Sequence, residues 1–339
     1  MKNLTDKYSA VNNSQAHGKD QYIQSLRGIA IAAIVLIHCL PVGQTWVFAV
    51  RSFLNFSVAL FLFLSGYLTP PNKCVNIKSF YKRRIGKILI PYVIWSIIYI
   101  LIYGPYTPKR FITGLLLGNS SAQMYYLLVY AQMVILTPFL YRALQKRWAW
   151  ILWLITPVTL LIKEILAFND TSIRGIGSFF GSWLIFYPLG LQWRKIRDLI
   201  DSIWLIFVCY TVTLAIQIIL TFVWSMQGFD SATSQLKLSS MLTSICFICM
   251  VMQVNKTAKT RLAHIKILTL LGDCSWGIYL CHIAIRIFVD LGLTAIGINT
   301  KDAIGSLIIW LITLSLSTMT IHLCQILLPQ HAQNWIGCE

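Results

Sequence analysis

Apolar residues run along this chain in blocks of about twenty, parted by short polar breaks. The first 20 residues are polar. Ten apolar stretches follow, at about 22–40, 48–68, 86–104, 122–141, 148–167, 177–193, 202–225, 236–254, 268–291 and 303–327. Each approaches the length an α-helix needs to cross a hydrocarbon core about 30 Å thick. The sixth is short, and the ninth opens on a turn-like Leu271-Gly272-Asp273-Cys274-Ser275. The pattern predicts an all-α integral membrane protein, a bundle of about ten transmembrane helices. It divides the chain into a polar N-terminal tail (1–21), a transmembrane domain (22–327) and a short C-terminal tail (328–339). No internal repeat is visible. The first apolar run is long and is not followed by a small-residue cleavage site, so no cleaved signal peptide is expected. Activity is therefore expected inside the bundle or at its mouths.

Composition supports this reading. Hydrophobic residues make up 57% of the 339 and charged residues 12%, against about 25% charged in soluble domains. A formal net charge of +17 would suit a nucleic-acid partner, but the positions of the cations argue otherwise. With the N-terminus placed in the cytoplasm, every inside segment carries at least three Lys or Arg and no outside loop more than two. The inside set begins with Lys2, Lys7, Lys19 and Arg27 and continues with Lys73, Lys78, Lys82, Arg83, Arg84 and Lys87. This is the positive-inside bias. The charge then reports orientation and anionic lipid rather than nucleic acid. An even number of spans also puts the C-terminus in the cytoplasm. The nine cysteines lie mostly in apolar stretches, where Cys acts as a small hydrophobe. Cys246 and Cys249 have CxxC spacing inside a span without a second pair, so no metal site is expected.

Four groups of residues carry candidate chemistry. Arg27 and His38 are eleven residues apart, about 16.5 Å along a helix and within about 20° of one face. A cation at the membrane edge would then share a stripe with an imidazole near the midplane. A topological arginine and a buried structural histidine are the alternatives. The run 78-KSFYKRRIGKILIPY-92 places Arg84 and Lys87 as i,i+3 neighbours, a pair of cations suited to phosphates. Lipid headgroups are the alternative there, and Pro91 is a potential kink. In the second span, Ser65 and Gly66 suit close helix packing, and Tyr67 offers an interfacial hydroxyl. In the ninth, Ser275, Tyr279 and His282 share a face after Asp273. Glu164 and Asp170 flank the fifth span as ordinary loop charge, and His322 is taken as structural.

Taken in order, these residues resemble acyltransferase family 3, integral membrane acyltransferases. Arg27 followed by ten residues and His38 is similar to its R/K-x10-H signature. LFLFLSGYL resembles its FFxxSGY/F segment and FYKRRIGKILIPY its RxxR-like entry to the third span. MYYLLVYAQMVILTPFL resembles the fourth span of its polysaccharide O-acetyltransferase branch, and LGDCSWGIYLCHIAI its late LGxxSxxIYLxH segment. The chain departs in two places. The RxxR position reads Arg84-x-x-Lys87, which keeps the charge and loses one guanidinium fork. Tyr125-Tyr126 stand where a tryptophan is common. The resemblance covers residues 22–327 and includes no additional hydrolase-like domain.

The resemblance implies a bacterial inner-membrane O-acetyltransferase. It would move an acetyl group from cytoplasmic acetyl-CoA to a sugar hydroxyl of a surface polysaccharide such as O-antigen. It implies that Arg27, Arg83, Arg84 and Lys87 meet the CoA phosphates, and that His38 acts as base or transient acceptor, with Arg27 and His282 in the catalytic group. Ser65, Gly66, Tyr67, Ser275 and Tyr279 would bind substrate or hold the structure. No metal is implied. A polytopic transporter or flippase is the competing class. The absence of a repeat and of paired broken helices weighs against it.

Overall fold

A computed structural model describes residues 20–71, 76–169, 171, 173, 175–199, 202–254 and 256–338. The expectations for Lys2, Lys7, Lys19, Lys73 and Asp170 lie outside the described residues. Those residues form helices and connecting turns without a strand. The helices are α1 (Gln21–Cys39), α2 (Trp46–Leu54), α3 (Phe56–Tyr67), α4 (Ile77–Tyr103), α5 (Pro108–Leu117), α6 (Tyr125–Ala143), α7 (Trp150–Phe168) and α8 (Phe186–Ile196). They continue with α9 (Ile203–Trp224), α10 (Phe229–Thr233), α11 (Leu238–Gln253), α12 (Lys256–Ala263), α13 (Lys266–Asp273), α14 (Ser275–Ala295), α15 (Ala303–Leu327) and α16 (Gln330–Ile336). Nine helical segments among the described residues are long and apolar enough to cross a membrane. The protein is an all-α polytopic membrane protein.

The first span is the hub. α1 packs against α3, α12, α13, α14 and α15. Its most apolar window is 72% buried, against 17% for the segments holding α7 and α9. Those outer helices instead expose large apolar side chains such as Leu154, Phe207 and Ile219, as lipid-facing helices do. Helices in lipid gain little from apolar burial against one another, so close backbone approach matters more. Two crossings show it. A Cβ on Gly28 would overlap the Leu268 carbonyl, and one on Gly272 the Gln24 carbonyl, which fixes α13 against α1. A Cβ on Gly66 would overlap the Tyr187 carbonyl, and one on Gly190 the Phe63 carbonyl, which fixes α8 against α3.

Three expected spans are built differently from the apolar pattern. The sixth, at 177–193, is not one helix. Two short 3-10 turns at Ile176–Ser178 and Phe180–Ser182 precede the 11-residue α8. Irregular backbone within a bundle survives only where protein groups satisfy it. Here Gln132 donates to the Ser178 carbonyl at 2.7 Å and accepts from the Phe180 amide at 2.9 Å. Trp183 donates to the Gly177 carbonyl, and the Thr156 hydroxyl accepts from the Ile185 amide. The ninth is broken at Cys274, where the Ser275 hydroxyl caps the Gly272 carbonyl at 2.7 Å. The second is broken at Asn55, whose side chain donates to the Ser240 hydroxyl at 3.2 Å.

The third span starts earlier than its apolar run. Asn76 accepts from the Ser79 amide at 3.0 Å and caps α4 at Ile77, an ordinary N-cap. The basic run is therefore helical, and α4 continues through Pro91. The C-terminal tail also folds: α16 packs under α4, and Trp95 donates to the Ile336 carbonyl at 3.1 Å.

Candidate active site

Three cavities line up through the bundle. The first, about 360 Å³, is walled by Arg27 of α1, Ser65 of α3, Arg84 and Lys87 of α4, Tyr126 and Tyr130 of α6, and Ser275, Trp276 and Tyr279 of α14. Asn334 and Gly337 of the C-terminal tail close its remaining side. Its lining holds three cations and no carboxylate among the described residues. Helical phase explains the choice of cations. Arg84 and Lys87 are three residues apart and face the cavity together. Arg83, one step of about 100° away, is exposed and bonds the Ser79 carbonyl of its own helix. The Arg84 guanidinium is steered by the buried Thr69, whose hydroxyl accepts from it at 2.8 Å, and it lies 5.3 Å from the Phe80 ring centroid. The Thr69 carbonyl in turn accepts from the Tyr141 hydroxyl. Arg27 donates to the Gln24 carboxamide at 3.4 Å.

The second cavity, about 260 Å³, contains His38, Arg51, Gln123, Tyr125, Gln235 and again Tyr279. Tyr279 thus belongs to the walls of both. Its hydroxyl donates to the Gln123 carbonyl, which pins the partition between them. His38 lies in the last turn of α1, one residue before its end. Its ring is 5.3 Å from that of His282, centroid to centroid.

His282 is fully buried, and its Nδ1 lies 3.0 Å from the Ile278 carbonyl and 2.9 Å from the Tyr279 carbonyl. Carbonyls only accept, so this network assigns the proton to Nδ1 and leaves a lone pair on Nε2. Nε2 has no hydrogen-bond partner among the described residues. Two imidazoles thus face each other at the end of α1. His282 is locked in one tautomer by its own helix, and His38 borders the cavity.

Arg51 borders the same cavity and was not singled out in the sequence. It donates to the Ile37 carbonyl at 3.3 Å and to the Thr233 carbonyl at 3.0 Å, which fixes a cation beside His38. The signal was present, an ionisable residue inside an apolar span, but nothing in the linear order links it to His38. The remaining expected residues divide. Ser65 and Ser275 line the first cavity, although the Ser65 hydroxyl bonds the Phe61 carbonyl of its own helix and the Ser275 hydroxyl bonds the Gly272 carbonyl across the break between α13 and α14. Gly66 is a packing glycine, and Tyr67 stacks on Phe63 at 6.2 Å, outside the lining. Glu164 accepts from the Leu238 amide at 2.8 Å and so caps α11.

The third cavity, about 740 Å³, is a groove at the far end, bordered by Tyr103, Arg110, Asn119, Ser120, Ser121 and Tyr125. It shares Ala122, Tyr125 and Gly177 with the second cavity.

A basic recess and a cavity bordered by His38 share Tyr279 as a wall. The family model of the acyltransferase domain of acyltransferase family 3 matches residues 20–328. The chain belongs to acyltransferase family 3. Among curated proteins and among solved structures, nothing matches it. The family model takes in α1 to α15 as one unit, so all three cavities belong to the acyltransferase domain except where the C-terminal tail closes the first. As a member of an acyltransferase family, the protein needs an acyl donor and an acceptor, and the transporter reading gives way to group transfer.

Proposed function

We propose that this protein is a membrane O-acetyltransferase. It takes the acetyl group of acetyl-CoA and passes it to a sugar hydroxyl of a bacterial surface polysaccharide, of the O-antigen kind or lipid-linked. The observation that carries this reading is Tyr279, one side chain standing in the wall of both the basic cavity and the His38 cavity. A donor held by its phosphates at Arg27, Arg84 and Lys87 would direct its thioester end past Tyr279 toward His38. Cations that are fixed by neighbours, as Arg84 is by Thr69, recognise phosphate better than mobile ones. The aromatic wall of Tyr126, Tyr130 and Trp276 suits the apolar part of a pantetheine arm.

At the histidine pair the acceptor hydroxyl loses its proton to a neutral His38 nitrogen. The hydroxyl oxygen forms a bond to the thioester carbon, and the carbon–sulfur bond breaks. The CoA thiolate leaves and takes up the proton from the His38 imidazolium. His282, its Nδ1 held by backbone carbonyls, would position His38 and share the proton through Nε2. Arg51 would offer positive charge to the developing oxyanion. The positive-inside bias orients the basic cavity toward the cytoplasm, where acetyl-CoA is made, with both termini on that side of the inner membrane. The test is a comparison of surface glycan by mass spectrometry and NMR from cells with and without the gene. Acetyl esters present only with the gene support the reading; identical glycans would refute it.

A further inference from the structure

Several residues lining the second and third cavities carry buried polar atoms without a well-formed hydrogen bond among the described residues. Ser120 and Ser121 are 0% and 7% exposed, and neither hydroxyl makes a hydrogen bond among the described residues. The buried Gln123 carboxamide has the Tyr99 hydroxyl as a neighbouring polar group, without a well-formed hydrogen bond to it. Among the described residues Arg51 and Arg110 each leave Nε unpartnered, while their side-chain bonds go to backbone carbonyls: Ile37 and Thr233 for Arg51, Ser120 for Arg110. Unsatisfied buried polar groups cost stability, so a native chain keeps few, and a cluster of them calls for a specific reason. Here they lie along one continuous path, because Ala122, Tyr125 and Gly177 border both cavities.

Charge narrows what could complete them. Neither lining contains an Asp or Glu among the described residues, and each contains an arginine. Asp230 is within electrostatic reach of Arg51 but makes no ion pair with it. Tyr103 and Tyr125 add aromatic faces with hydroxyl tips, which suit a ring that is apolar on its faces and polar at its edge.

We infer that the Ser120–Gln123 strip with Arg51 and Arg110 is the acceptor subsite, and that it binds a saccharide bearing an anionic group. The group is the carboxylate of an acidic sugar or the phosphate of a sugar phosphate. The word acceptor rests on the acyl-transfer reading; the binding does not. The anionic group sits toward Arg110, and the serine and glutamine strip guides a neutral hydroxyl inward to His38.

The test uses the purified full chain in lipid nanodiscs, with saturation-transfer NMR and titration of three probes: a galacturonate tetrasaccharide, glucose 1-phosphate and neutral maltotetraose. One of the two anionic probes should bind at least about tenfold more tightly than maltotetraose, and which one identifies the source of the charge. Arg110→Gln should abolish that preference. Lys109→Gln, an equal charge change at an exposed neighbour outside the groove lining, should keep it. Ser121→Ala should weaken binding of the preferred probe about threefold, and it serves if Arg110→Gln does not fold. Equal binding of all three probes, binding of none, or the same behaviour in both charge variants would overturn the inference. Acetyl-CoA binding on the same sample separates the two readings. Lost saccharide preference with intact acetyl-CoA binding sinks only the acceptor subsite, whereas absence of acetyl-CoA binding sinks the acetyl-CoA-dependent transfer reading.

Discussion

Arg84 offers the sharpest probe of the basic cavity. It lines the recess with Arg27 and Lys87, and Thr69, 1% exposed, holds its guanidinium at 2.8 Å. A hydrogen bond to a charged group contributes about 1.5–3 kcal/mol. Arg84→Ala should therefore weaken acetyl-CoA binding by about 10- to 150-fold, toward the lower figure because two other cations remain. Arg84→Lys keeps the charge and loses the fork, and should cost about two- to tenfold. Thr69→Val removes only the steering hydroxyl. It should cost a few-fold in the wild-type background and nothing once Arg84 is alanine, the non-additivity expected of direct partners. Titration of acetyl-CoA into purified protein, at low and high salt, measures all four variants. The affinity lost in Arg84→Ala should shrink as salt screens the cavity mouth. Unchanged affinity in Arg84→Ala, with protein abundance reduced, would show that Arg84 serves topology and not the donor.

Other expectations follow from the same geometry. Arg83→Ala should leave acetyl-CoA affinity within about twofold, because Arg83 is exposed and off the lining; a loss as large as that of Arg84→Ala would contradict the assignment of the cavity-facing side of α4. Gly190→Ala forces a Cβ into the Phe63 carbonyl and should lower stability by about 1–3 kcal/mol, read as a drop in melting temperature; unchanged melting would mean α3 and α8 are not pinned there. Tyr279→Phe strands the buried Gln123 carbonyl and should cost about 1–3 kcal/mol of stability, with turnover falling more than acetyl-CoA affinity. Cys338 is 2% exposed, and burial pushes its thiol up to about 12, so maleimide should label it slowly at pH 8. Trp95→Ala, which removes the bond to Ile336, should make labelling faster; equal rates would show that α16 is not held by Trp95.

The apolar runs made the fold legible as an all-α membrane bundle, because lipid demands helices of one length. They were blind to the sixth span, where Gln132 and Thr156 satisfy a backbone that is not helical. That compensation comes from α6 and α7, far away in sequence. That one helix carries Arg27 and His38 was legible from the apolar run; that they line separate cavities was not. The i,i+3 pairing of Arg84 and Lys87 was legible from spacing as well, whereas the exposure of Arg83, which the resemblance had grouped with them, was not. Arg51, Arg110 and the Ser120–Gln123 strip read as loop and span residues in the sequence; only the meeting of α1, α2, α5, the loop from α5 to α6, α6 and the 3-10 turns before α8 makes them walls of shared cavities. The C-terminal tail likewise gains a role only by folding back beneath α4.

The central claim is that His38 carries acetyl transfer at the end of the path from the basic cavity. Its most direct test is CoA release from acetyl-CoA by the purified protein in nanodiscs with a glycan acceptor, for wild type and His38→Ala, with acetyl-CoA affinity measured on the same samples. The wild type should release CoA in step with acetylated glycan. His38→Ala should lose about 10²- to 10⁴-fold in turnover, the contribution of a positioned general base, while binding acetyl-CoA as tightly as the wild type. Equal turnover in His38→Ala would contradict the account.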